Sequence, residues 1–164
     1  LPPDDFDPNH VRLCDRWGAA TAQIFSDVSP EMHMEFALRH EKRWLERHGM
    51  TYYGCCEPLH LKMGILKTVE NLRKISMSPW ANIEHALNHG AADYVLSIKP
   101  NPAVLGDIAW HPELARKYLT DKLDQARGCA MEIVMKDIST VCREPRRLSE
   151  WARIAAEVAE EYGA

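Results

Sequence analysis

The sequence has no glycine-rich dinucleotide fingerprint and no P-loop, and only eight glycines in 164 residues. That removes the commonest nucleotide-binding readings, in which glycine lets the backbone approach a phosphate. No apolar run approaches the ~20 residues that span a bilayer, and we see no charged-then-apolar leader of the secretory kind. Basic residues form no stripe. The net charge is −4 with both signs scattered, so neither nucleic acid nor membrane is an expected partner. Low-complexity stretches, inter-domain linkers and short-period repeats are also lacking. These absences leave one domain over residues 1–164, with 46% hydrophobic residues to fill its core, and a cytoplasmic location as the expectation. The chain opens on Leu1 rather than methionine, which we read as a processed start or the tail of something longer.

Five cysteines are present: Cys14, Cys55, Cys56, Cys129 and Cys142. The number is odd, the spacings make no disulfide framework, and adjacent cysteines rarely bridge because the geometry is strained. In a reducing compartment they read as free thiols or metal ligands.

After a Pro/Asp-rich lead-in, the pattern predicts a helix over about His10 to Gly18 and a strand at Ala22-Gln-Ile-Phe25. Ser29-Pro30-Glu31 is a helix start: a capping serine, proline at the first helical position and an acid in the first turn. That helix runs to His48 and stops at Gly49. Further strands are expected at Thr51 to Cys55, Leu72 to Ser78, Tyr94 to Ile98 and Met131 to Met135. Helices are expected around Leu61 to Val69, from Asn82 through Asn88, from Pro112 to Arg127 and from Arg147 to Tyr162. Strand and helix thus alternate five times, which argues for parallel strands with crossover helices and an α/β fold.

Alternation alone does not separate an open doubly wound sheet from a barrel. In either, ligands bind at the rim formed by the carboxyl ends of the strands. Polar residues collect there: Ser26 and Asp27, Cys55 to Glu57, Ser76 and Ser78, Lys99 and Asn101, Lys136 and Asp137.

Three groups of segments carry a resemblance. They are Ala22-Gln-Ile-Phe-Ser-Asp27 with Ser29-Pro-Glu31 and Glu35-Phe36; Ile75-Ser-Met-Ser-Pro-Trp80 with Ile83-Glu-His-Ala86; and Ile98-Lys-Pro-Asn-Pro-Ala-Val-Leu105. Their order and spacing resemble the uroporphyrinogen decarboxylase superfamily, which includes corrinoid- and zinc-dependent methyltransferases. The resemblance implies the last five or so βα units of a TIM-type (β/α)8 barrel, the first strands being absent. A partial parallel barrel has unpaired edges, so a second chain, or the missing N-terminal half, is expected to complete it.

The resemblance also implies a site. The Cys55 end of its strand is similar to a His-x-Cys pair at which zinc activates a thiol, with Tyr53 standing where the histidine would be. Cys55, Cys56 and His60 are then the candidate metal ligands, all being competent for zinc. Cys142 matches a third thiolate only loosely. Against this, alternation along a strand sends one of two adjacent thiols inward and the other outward as a small hydrophobe.

Glu57, Asp27 and Asp137 are the candidate acids or bases; the alternative for each is a helix-start or turn role. Tyr53, Lys99, Asn101 and Arg143 are candidates for holding a substrate; the alternatives are a solvated lysine and an ordinary solvated loop. Trp44, Trp80 and Trp151 read as packing residues, and His33, His40 and His48 as solvated. The leading expectation is metal-activated methyl transfer to or from a small molecule, with a corrinoid on a partner protein as donor or acceptor. Decarboxylation of a tetrapyrrole-like acid and a non-catalytic half-barrel are the alternatives.

Overall fold

In the computed structural model, residues 7–163 are described. Five strands form one all-parallel sheet: β1 (Trp17–Ala20), β2 (Met50–Tyr53), β3 (Leu72–Met77), β4 (Val95–Ile98) and β5 (Met131–Ile133). The α/β class and the parallel sheet expected from the alternation are present. The spatial order is β1-β2-β3-β4-β5, the order of the chain, so the sheet has no switch point at which strand order reverses.

The helices are α1 (Pro30–His33), α2 (Arg39–Leu45), α3 (Met63–Leu66), α4 (Ile83–Asn88), α5 (Ala103–Gly106), α6 (Pro112–Gln125) and α7 (Arg146–Gly163). Neighbours touch in sequence: α1 packs on α3, α4 on α6 and α6 on α7. That is the arrangement expected when successive crossovers share one hand and lay their helices on one face. Local chemistry sets the starts. The Ser29 hydroxyl accepts from Met32 N at 3.3 Å with Pro30 at the first position, and the Asn82 side chain accepts from His85 N at 2.8 Å.

The core lies between the sheet and this layer. Tyr53, Ile75, Met77, Leu96 and Ile98 point into it from the strands and meet Leu38, Leu59, Leu66, Ile83, Leu119 and Ile154. The alternate strand residues face the other way and are largely polar: Tyr52, Lys74, Ser76, Ser97 and Glu132. Lys74 pairs with Glu132 at 2.6 Å and lies 5.2 Å from the centre of the Trp17 ring. No helix among the described residues is long and apolar enough to cross a membrane.

Two expectations fail at the N-terminal end. The first strand is Trp17–Ala20 rather than Ala22–Phe25, and the helix expected over His10 to Gly18 is reduced to a 3₁₀ turn at Leu13–Asp15. Pairing overrides propensity here. Gly18 stands so close to the His48 ring that a Cβ would come within 2.7 Å of it, so a small residue is needed where β1 meets β2. The more β-prone Ala22–Phe25 segment instead makes a 3₁₀ turn at Gln23–Phe25, with Ile24 out in solvent.

His33 and His48 are buried, not solvated; of the three only His40 is exposed. A π turn (Met34–Leu38) joins α1 to α2 and separates two residues that grip one tyrosine. His33 Nε2 lies 2.7 Å from the Tyr53 hydroxyl, which donates to Glu41 at 2.6 Å. Burial, and then the charge of Lys62, lower the His33 pKa from 6.5 to about 4. Its unfolded form therefore binds more protons than its folded form between those values, and stability falls as pH drops from 6.5 toward 4. That gap is worth on the order of 3 kcal/mol. Glu41 opposes it, because burial raises its pKa and favours the folded state in acid. The net loss in chemical denaturation between pH 7 and pH 4 should thus be smaller than 3 kcal/mol, and a His33→Gln variant should lose less over the same range.

Candidate functional site

Strand β2 ends at Tyr53, and Gly54 turns the chain with a φ of +105°. Its N–H donates to the Ala20 carbonyl at 2.9 Å. A Cβ at Gly54 would stand 2.5 Å from Leu59 Cδ1 and 2.8 Å from Ser76 Cβ. Backbone sign and space both demand glycine. Gly54→Ala is expected to cost about 2–4 kcal/mol, strain and overpacking together, read as a lower midpoint of urea unfolding.

Because the pleat has ended, Cys55 and Cys56 do not split to opposite faces. Their Sγ atoms lie 3.5 Å apart, and Lys136 Nζ, beyond β5, reaches both, at 2.8 Å from Cys55 and 2.5 Å from Cys56. Cys56 donates to Asp137 Oδ2 at 2.8 Å, and Asp137 pairs with Lys136 at 3.0 Å. Asp137 holds a φ of +58°, a conformation uncommon outside glycine. The ends of β2 and β5 thus meet across the sheet's carboxyl edge through two thiols, an ammonium and a carboxylate.

The electrostatics separate the two thiols. Burial works to raise the Cys55 pKa, but the Lys136 hydrogen bond, with help from Cys56 and Lys99, outweighs it and leaves Cys55 below the usual thiol value. Cys56 is pushed up to about 11 by burial and by its bond to Asp137. Burial disfavours the Lys136 cation, yet its bonds to the two sulfurs and to Asp137 carry its pKa above the lysine norm. Cys55 is therefore the more easily ionised of the pair, and Cys56 donates to Asp137.

Backbone atoms hold this arrangement in place. The Cys55 carbonyl accepts from Ser76 Oγ at 2.7 Å and from Lys99 Nζ at 3.0 Å. Lys99 is only 5% exposed and also donates to the Tyr52 hydroxyl. Beside the thiols a small pocket of about 160 Å³ opens between Cys56, Pro79, Trp80, Lys99, Asn101 and Lys136.

Several expected site residues lie elsewhere. Glu57 is 1% exposed: one carboxylate oxygen accepts from Ala22 N at 3.1 Å and Thr21 Oγ1 at 3.4 Å, the other from Cys55 N at 2.9 Å. It ties the end of β1 to the cysteine loop. Asp27 is exposed on its turn. Tyr53 faces the helices, so its neighbour Tyr52 is the tyrosine at the rim.

Asn101 lines the pocket but also caps Ala103 N at 3.0 Å. Arg143 is exposed. The basic loop's anchor is Arg147, fully buried, which donates to the carbonyls of Leu105, Asp107 and Ile108 and pairs with Glu144. Trp80, read as a packing residue, is 67% exposed beside the pocket. Trp44 is 48% exposed, and Trp151 packs in the core as expected.

The expected zinc ligands do not fit a metal. The His60 ring packs edge-on against His85, centroids 5.6 Å apart, and Cys142 Sγ donates to the Gly106 carbonyl at 3.1 Å. Among the described residues no three His, Cys, Asp or Glu side chains are placed to hold an ion. A cation does face both sulfurs, but it is the Lys136 ammonium. Its role was hidden because 80 residues separate it from Cys56; the only sequence signal was that both segments end strands.

No family model, no curated protein and no solved structure matches the chain.

Proposed function

We propose that this chain carries a group-transfer site built on the Cys55 thiolate, with methyl or a similar small alkyl group as its cargo. The observation that carries this reading is the convergence of Cys55 and Cys56 on Lys136 at the carboxyl edge of a parallel sheet, the edge where such folds place their chemistry. Lys136 supplies the positive charge that favours ionised Cys55, in the place where the resemblance would put zinc. In the reaction the thiolate lone pair forms an S–C bond, the bond from that carbon to its leaving group breaks, and the leaving group departs with the electron pair. The attacking form is the Cys55 thiolate, its proton lost to solvent beforehand, and the Lys136 ammonium favours that form. Glu57, held by three donors, takes no part in it.

The donor implied by the resemblance, a methylated corrinoid, is far too large for a pocket of about 160 Å³. The residues here fit at most the transferred group, with such a donor docked outside the rim. We also read the sheet as the later part of a (β/α)8 barrel. Sequential strand order and a single helix layer support that reading, and the outer edges of β1 and β5 are where further strands, from this polypeptide or another, would pair.

Peptide mapping after brief treatment with limiting iodoacetamide at pH 7 tests the site. Cys55 should be labelled at least several-fold faster than exposed Cys14, although it is the less accessible of the two. Equal or slower labelling of Cys55 would rule the thiolate reading out.

A further inference from the structure

We infer that the substrate of this site is a small anion, one that seats a carboxylate or similar group against Lys99 with its electrophilic carbon toward Cys55. The inference rests on the thiolate reading for its chemistry and on separate observations for its charge.

Lys99 is the first of these. It is buried at the end of β4, and a buried ammonium is costly unless a counter-charge compensates it. Its hydrogen-bond partners are a tyrosine hydroxyl and a peptide carbonyl, both neutral. Among the described residues it makes no ion pair, in contrast to Lys136, which has Asp137 at 3.0 Å as well as the thiolate. Buried Lys62 likewise bonds carbonyls, of Phe25 and Ser26, in the fields of Glu57 and Asp27. Lys99 acts on Cys55 and Asp137 in the same way, but both of those are bonded directly to Lys136. Lys99 also lines a pocket.

The pocket is the second observation. Lys99, Lys136 and Asp137 line it together with Trp80, Pro79, Pro100 and Pro102, so two cations and one carboxylate share it with rigid apolar groups, and that carboxylate is already paired with Lys136 at 3.0 Å. An anion with a short carbon skeleton matches both Lys99 and the apolar groups. Its volume of about 160 Å³ is roughly five waters' share of the liquid at ~30 Å³ each, well short of the 300 Å³ or more of drug-sized sites. A second recess of about 230 Å³, sharing Asn101, Pro102 and Asp137, adjoins it and leaves room for a leaving group.

The third observation is position. Lys99 Nζ lies 3.0 Å from the carbonyl oxygen of Cys55, and the pocket is lined by Cys56, whose sulfur is 3.5 Å from that of Cys55, so an anion held there has the nucleophile just beyond Cys56. Each charge then has a partner. Lys136 holds both Cys55 and Asp137, and the substrate anion compensates Lys99.

Iodoacetate and iodoacetamide provide the test, since they deliver the same carbon with and without a negative charge. Toward a free thiol such as glutathione the anion reacts more slowly, because it is repelled by the thiolate. At Cys55 the iodoacetate-to-iodoacetamide rate ratio should exceed the glutathione ratio by at least tenfold, and Lys99→Met should remove the excess. Malonate should slow labelling by iodoacetate competitively. Calorimetric titration of malonate into a Cys55→Ser variant reads anion binding without any thiol chemistry. A ratio equal to that of glutathione, with no malonate binding, overturns the anionic substrate and leaves the thiolate reading intact. Malonate binding to a protein whose Cys55 is inert supports the anion site and overturns only the thiolate.

Discussion

Lys136→Met is expected to move the pH midpoint of Cys55 alkylation upward, into or above the ordinary thiol range near 8.5. In the wild type Lys136 is the largest influence lowering the Cys55 pKa, and it acts against burial. Without it, burial is opposed only by the weaker contributions of Cys56 and Lys99. Each tenfold loss of thiolate at pH 7 is partly offset, since a more basic thiolate is intrinsically more nucleophilic, with a Brønsted slope of about 0.4–0.5. The observed rate at pH 7 should therefore fall only about threefold for each tenfold of lost thiolate. The midpoint, rather than the rate at one pH, is the decisive readout. Lys136→Arg retains the charge and should keep the midpoint low. If both variants titrate like the wild type, Lys136 is a bystander and the site is misassigned.

Glu57→Ala should be strongly destabilising. The carboxylate is buried and accepts from two backbone N–H groups and a threonine hydroxyl. Its removal strands the amides of Ala22 and Cys55, at about 1–3 kcal/mol each for an unsatisfied buried donor. A loss of about 3 kcal/mol corresponds to a melting temperature lower by about 6–12 °C for a chain of this size. Glu57→Gln should recover only part, because its amide nitrogen places a donor against one of those N–H groups. A melting temperature within 2 °C of wild type for Glu57→Ala would show that the glutamate is dispensable as a tie, and would reopen it as a catalytic candidate.

How much of this was legible depended on how local each feature was. The helix starts at Ser29 and Asn82 and the proline at the head of α6 are encoded within four residues, and they were readable. So was the strand rhythm from β2 onward. Strand β1 was not: Trp-Gly-Ala-Ala has weak strand propensity, and its selection depends on the fit of Gly18 against His48, thirty residues away. The choice between Tyr52 and Tyr53 was also lost. The register shift between Thr51 and Tyr52 is a pairing irregularity that neither strand records alone.

Cys55, Lys99 and Lys136 meet at the rim because each follows the end of a strand, whereas their contacts there are not legible in the sequence, because Lys136 reaches Cys55 from three strands away. The histidines were misread for a related reason. Without the π turn in view, the face on which His33 falls cannot be counted from the sequence.

The sequential strand order bears on how the chain assembles. Each βα unit has its sequence neighbours as its spatial neighbours, so most packing forms over short loops, and the sheet can grow one unit at a time as in a repeat array. Other contacts skip a strand, such as Lys74 with Glu132 and Lys99 with the Cys55 carbonyl, and the bonds of Lys136 to Cys55 and Cys56 reach furthest. They join the second unit to the fifth across two intervening strands and close only when the last unit docks. Until then Cys55 lacks the bond that does most to lower its pKa, so a growing or clipped chain would carry the nucleophile with less of its reactivity.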